Sequence, residues 1–258
     1  MNADACYTYA VARPFDVATI GPVRGVDDAA IRLFRYRDIV AVSSAMPPEA
    51  AEEGALRTRL ETLESMEAMA RAHHAVVEAV VERAVAIPFR LATIHHDERR
   101  VIGMLRHGHA EFDATLNRLA GRVEMGVKVY ANISAPPPTS IVASVSDSPG
   151  RDYLRTRRVE RNQRERGSRQ AVDVAERVDA ALAESAVERA LHRPQAARLH
   201  IDRAENVLNA AYLVEARDLP AFHTLVRRLG SDAPGVRIEV TGPWPAYSFA
   251  SLDSGGEP

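Results

Sequence analysis

Among 258 residues there is one cysteine, Cys6, and one lysine, Lys128. A lone cysteine excludes an internal disulfide, and its place in a β-prone run marks it as a buried, inert thiol. Basic charge rests almost wholly on arginine, and 33 Lys+Arg against 35 Asp+Glu leave a formal net charge of −2. Nothing in that balance draws the chain toward nucleic acid or an anionic membrane. No apolar run approaches the ~20 residues that span a bilayer, and no charged stretch followed by an apolar one opens the chain. The expectation is a cytoplasmic, soluble protein with no lipid-membrane partner. Nucleotide and nucleophile signatures are missing too: there is no Gly-x-x-x-x-Gly-Lys-[Ser/Thr], no Gly-x-Gly-x-x-Gly and no Gly-x-Ser-x-Gly. No carboxylate is marked by position as a general acid, so the chain reads as a protein that is not an enzyme and uses no cofactor.

What is present organises into two α+β domains. Residues 6–12 mix aromatic and β-branched side chains and stop at Arg13-Pro14, a first strand. Residues 31–36 and 39–42 form a hairpin about Asp38. Residues 54–84 carry apolar positions at Leu56, Leu60, Leu63, Met66, Ala70, Val77 and Val81, the spacing of one amphipathic helix about 45 Å long. A second helix over 97–119 ends at Gly121, and a strand over 123–130 closes the first domain. Pro136-Pro137-Pro138 and a Ser/Pro/Gly cluster mark a linker over 132–150. The second half reads as a helix over 151–192 stopped by Pro194, a strand at 206–216, a helix at 219–229 and a strand at 236–241. That β-α-β unit resembles a fragment of the first domain, a weak internal duplication. The fold class is α+β, each domain a small, largely antiparallel sheet packed with helices, the N-terminal one ferredoxin-like. The domains run over 1–131 and 151–250, with a disordered tail over 251–258.

Two clusters invite chemistry. His95-His96 and His107-x-His109 put four of nine histidines into fifteen residues. On a helix, residues 107 and 109 face different sides, about 200° apart, and no spacing here gives three or four converging ligands, so no metal site is assigned. His73, His74 and Glu78 lack the His-Glu-x-x-His spacing. Residues 151–169 hold eight arginines against Asp152, Glu160 and Glu165. Arginine pairs bidentately with phosphate, so an arginine-rich nucleic-acid-binding module is the alternative reading. Without aromatic interleaving or a recognised motif, a solvated helix face is favoured.

The positive signal lies near the C-terminus. Only fourteen aromatic residues are spread over the chain, yet Trp244, Tyr247 and Phe249 fall within six positions, with the single Trp between Pro243 and Pro245. Proline fixes φ near −65° and biases its predecessor toward extended geometry, so this run is stiff and presents its indole in one place. These five residues are the candidate structural and interaction site. The aromatics either close the second domain or dock it on the first, or stay partly exposed to receive an apolar partner. Alanine at Trp244 is expected to lower stability more than affinity.

The run Gly242-Pro243-Trp244-Pro245-Ala246-Tyr247-Ser248-Phe249, after Asn209-Ala210-Ala211-Tyr212-Leu213-Val214, resembles the C-terminal signature of the gas vesicle accessory proteins GvpF and GvpL. Residues 69–74 leading to Ile87-Pro88-Phe89-Arg90-Leu91-Ala92-Thr93-Ile94, then Val127-Lys128-Val129-Tyr130, are a second match, and Gly150-x-x-Tyr153-Leu154-x-x-Arg157 a third. The family more usually reads Arg-Phe-Gly-Thr where this chain has Arg90-Leu91-Ala92-Thr93. The resemblance implies a non-catalytic, minor component of gas vesicle formation. It would bind the hydrophobic main shell protein, and other gas vesicle accessory proteins, and limit shell-protein aggregation during nucleation, in the cytoplasm or at the gas vesicle.

Overall fold

The computed structural model describes residues 4–131, 149–194, 205–233 and 235–250. The chain divides into two compact units, one of residues 1–124 with 244–258 and one of residues 125–243. Most of the expected linker, and the expected disordered tail, lie outside the described residues.

The first unit is built on an antiparallel sheet of β1 (Ala5–Ala12), β2 (Ile31–Tyr36), β3 (Ile39–Met46), β4 (Ala86–Pro88) and β5 (Ile94–His95), in the order β2-β3-β1-β4 with β5 also on β1. The hairpin turns in two residues, with Arg37 at φ 53°, which lets β2 and β3 register from Tyr36 opposite Ile39. A bulge in β1 between Thr8 and Ala10 shifts the alternation of side chains. Tyr7 before it, Tyr9 within it, and Ala10 and Ala12 after it therefore all enter the same core.

That core is covered by α3 (Leu63–Val81) through Met69, His73, Val76, Val77 and Val80. The single helix expected over 54–84 is instead α1 (Pro48–Ala51), α2 (Glu53–Glu61) and α3, with Thr62 extended at φ −91°, ψ 127°. The reason is phase. Leu56 and Leu60 also pack on this core, and in an unbroken helix Leu60 and Met69, nine residues apart, would point about 180° away from each other. Extending β-branched Thr62 resets the rotation. The helix expected over 97–119 is likewise two, α4 (Glu98–His107), capped by the Asp97 carboxylate on Arg100 N–H, and α5 (His109–Leu119), separated by Gly108. They pack along β2, β3 and β4, where Phe112 meets Phe89. Gly121 follows α5 at φ 71°, the left-handed geometry expected of it.

The second unit runs β6 (Arg122–Ala131), α6 (Pro149–Ser185), β7 (Glu188–Leu191), β8 (Glu205–Glu215), α7 (Leu219–Ser231) and β9 (Val236–Trp244), with sheet order β7-β8-β6-β9. This corrects two expectations. The strand at 123–130 does not close the first sheet; as β6 it lies between β8 and β9 of the second. The helix read to residue 192 ends at Ser185, and Glu188–Leu191 pairs with β8, Glu188 opposite Leu213. Residues 188–191 are good helix formers, so pairing with a buried strand overrides local propensity here. Val174, Val178 and Leu182 of α6 and Phe222 and Val226 of α7 pack on Met125, Val127, Val129 and Tyr212.

Both sheets place their own first four strands in the order second, third, first, fourth. That is the ferredoxin-like order. In the second unit both crossovers are helical, whereas in the first the opening crossover is two 3-10 turns, Val17–Ile20 and Val26–Asp28.

Candidate functional site

All five residues singled out in the sequence lie at or just after the end of β9. The Gly242–Pro243 peptide bond is cis and Gly242 sits at φ 112°, a conformation closed to most L-residues. From Trp244 onward the chain belongs to the first unit. The aromatic segment therefore does not complete the second domain, as a 151–250 domain would require.

The segment is held by polar bonds at its end. Pro245 and Ala246 are buried, and residues 247–249 form a 3-10 turn in which Phe249 N–H reaches Ala246 O at 3.2 Å. The buried Glu124 carboxylate accepts from Ser248 N–H at 2.8 Å and from the Ser248 hydroxyl at 2.7 Å. Arg118 donates to Phe249 O at 2.7 Å, and the Phe249 ring is buried. Tyr247 packs on the core around Tyr7 and Tyr9. Burial, then the charges of Glu78 and Tyr7, push the Tyr247 phenol well above its ordinary pKa, so it remains a neutral donor. Trp244 alone of the three is substantially open, at 41% exposure, with its ring 5.6 Å from that of His74.

Beneath this segment lies a polar chain that the sequence reading missed. Ala92 N–H donates to the Tyr7 hydroxyl at 2.9 Å, and that hydroxyl lies 3.1 Å from His73 Nδ1. His73 Nε2 lies 3.1 Å from Phe89 O. A carbonyl only accepts, so Nε2 carries the proton and Nδ1 accepts from Tyr7 O–H. Desolvation lowers the His73 pKa to about 4, which keeps the ring neutral and this assignment unique. Burial correspondingly pushes Tyr7 up to about 12. The chain pins the loop between β4 and β5, where Thr93 O also accepts from Thr8 N–H at 2.9 Å and Phe89 N–H donates to Tyr9 O at 2.8 Å. The available signal was the spacing of His73 with Met69, Val76, Val77 and Val80, which places it on the core stripe rather than in solvent.

The other histidines disperse. His107 bonds Gly103 O within its own helix at 2.6 Å, and His109 bonds Asp38 at 2.7 Å. His95 Nε2 is buried without a hydrogen-bond partner among the described residues, and burial lowers its pKa. Among the described residues no three His, Cys, Asp or Glu side chains converge. Cys6 is buried in β1, where burial and then Glu98 raise its pKa. Arg157, Arg158, Arg161 and Arg169 are exposed on α6; the side chains of the other four arginines in that run lie outside the described residues. Among the described residues no helix is long and apolar enough to cross a membrane.

The family model described as gas vesicle synthesis protein GvpL/GvpF matches residues 5–251. The chain belongs to the GvpL/GvpF family. It is 42% identical to gas vesicle protein L of a Streptomyces species over 95% of this chain and 92% of that one. Gas vesicle protein F2 of Halobacterium salinarum is 27% identical, over 75% of this chain and 73% of the relative. Crystal structures of GvpF from Anabaena sp. PCC7120 and from Microcystis aeruginosa superpose with TM-scores of 0.71 and 0.65. Each is 16% identical; they cover 99% and 97% of this chain, and 100% of each GvpF chain is matched. At that identity they establish a shared GvpL/GvpF fold. In this member the segment from Trp244 to Phe249 is part of the first unit's core and surface, reached only after the chain has passed through the second.

Proposed function

We propose that this chain is a non-catalytic gas vesicle assembly protein that binds the hydrophobic main shell protein, in company with other gas vesicle accessory proteins, and limits its aggregation while vesicles nucleate. Membership of a family of gas vesicle synthesis, which is not a family of enzymes, supports the setting. The observation that carries the binding role is Trp244, a large ring left 41% exposed yet held in place by the buried residues after it. A subunit that will line a gas-filled space presents apolar surface to water, and such surface self-associates unless another protein covers it. A rigid exposed aromatic contributes contact area at low entropic cost. The chain acts in the cytoplasm or on the growing vesicle.

The test is co-expression with the main shell subunit of the same gas vesicle cluster. More soluble shell subunit, co-purifying with this protein and lost when it is omitted, supports the reading. Unchanged solubility with nothing co-purifying rejects it.

A further inference from the structure

Three of the large apolar side chains left exposed lie in the first unit around one stripe of α3. Leu63 is 74% and Met66 38% exposed, and Trp244 adds its open ring beside His74. At 100° per residue, Leu63, Met66, Ala70 and His74 fall within an arc of about 80°. This arc overlaps the edge of the one that buries Met69, His73, Val76, Val77 and Val80, and extends from it toward solvent, so the strip is a flank of the helix rather than its core face. From Leu63 to His74 it is about 16 Å long, three helical turns. Ala70 at its centre is small, leaving a shallow gap between Met66 and His74 into which a ridge of a second helix can settle.

The solvent border of the strip is acidic. Glu64, Glu67 and Glu78 lie along it, opposed within α3 by the single arginine Arg71, which is paired with Glu67, while Glu78 reaches His74 at 3.2 Å. Residues 49–82 as a whole carry eight glutamates against three arginines. Such a border repels nucleic acid and anionic lipid and attracts cationic side chains.

We propose that this strip receives an amphipathic helix of the shell protein, one whose apolar stripe is bordered by lysine or arginine. The proposal rests on the reading of the preceding subsection and gives it an address. Apolar anchors of the incoming helix, spaced three and four residues apart, meet Leu63, Met66 and Trp244, and its bordering cations meet Glu64 and Glu67.

The experiment is shell-subunit capture by the full chain and three variants: L63D/M66D, the charge reversal E64K/E67K, and I102D as a control at an apolar site on α4 about as exposed as Met66. Circular dichroism and thermal melts establish that each variant is folded; L63S/M66S replaces the first if it is not. The expected result is a loss of capture of about tenfold or more for L63D/M66D, a smaller loss for E64K/E67K that fades at high salt, and wild-type capture for I102D. Undiminished capture by L63D/M66D, with the wild type active, overturns the strip while leaving the assembly role standing. Stronger capture by E64K/E67K overturns the charge assignment. If L63D/M66D dissolves a homodimer and leaves capture intact, the strip is a self-contact and the proposal is wrong. If the wild type captures nothing, the proposal and the reading beneath it fail together.

Discussion

The Tyr7 hydroxyl and His73 Nδ1, 66 residues apart in sequence, lie 3.1 Å apart in the core, with the ring held neutral by burial. The folded-state pKa of about 4 is below the ordinary 6.5. Unfolding therefore takes up a proton between those values, and the stability from a neutral His73 is present in full above pH 6.5 and lost as pH falls toward 4. H73Q can make both hydrogen bonds without titrating. Urea denaturation from pH 7 to 4 should show wild type losing about 3 kcal/mol more than H73Q. Parallel curves would mean that His73 is not buried neutral.

Ala92 sits at φ 63°, the left-handed region that favours glycine. The left-handed conformation costs an L-residue roughly 1–2 kcal/mol, of which glycine returns part through its more flexible unfolded chain. A92G should stabilise by about 0.5–1 kcal/mol in chemical denaturation. A destabilised A92G would show that the alanine methyl makes a contact worth more than the strain.

The C-terminal aromatics divide by burial. F249A removes a buried ring and should cost about 3–4 kcal/mol. E124A strips both acceptors from Ser248 and should cost about 2 kcal/mol and speed proteolytic cleavage near residue 248. W244A removes a half-open ring and should cost no more than about 1 kcal/mol, while shell capture falls more steeply. This reverses the order expected from sequence, where the single Trp stood for stability. Thermal melts and capture measured on the same preparations decide between them.

Gly25 has an ordinary φ, so its requirement is space. A Cβ there would overlap the Tyr9 hydroxyl and lie 3.0 Å from Ser44 Oγ. Tyr9 accepts from Val26 N–H at 2.8 Å and pairs with Ser44 at 2.7 Å, all buried. G25A should therefore cost about 2–3 kcal/mol. A thermal melt unchanged from wild type would show that the Val17–Asp28 connection adapts freely.

Elements set by local pattern were legible in the sequence. The hairpin about Asp38, β8, α7 and the positive φ at Gly121 all follow from alternation, helical spacing and turn chemistry. What was hidden depended on partners far away in the chain. Leu60 and Met69 each look helical, and only a shared core shows that they are out of phase. Residues 188–191 become a strand because β8 offers them a ladder, and residues 123–130 show no preference for one sheet over the other. The Trp244 segment was found because proline and tryptophan are rare and stiff together. His73 was missed because a histidine on an apolar stripe looks like any other histidine until Tyr7 and Phe89 are placed beside it.

The last packed residues of the first unit follow the whole of the second unit in the chain. Ser248 and Phe249 meet Glu124 and Arg118 only after the intervening 125–243 unit has been made. On the ribosome, then, residues 1–124 wait with the Tyr7–His73 layer uncovered on the Tyr247 side and the Glu124 carboxylate unsealed. A chain that stops short of residue 244 leaves that layer bare to proteases and chaperones. Because the first unit is closed by residues that follow the second in the chain, translation past the 125–243 unit is a precondition for Trp244 to stand beside His74.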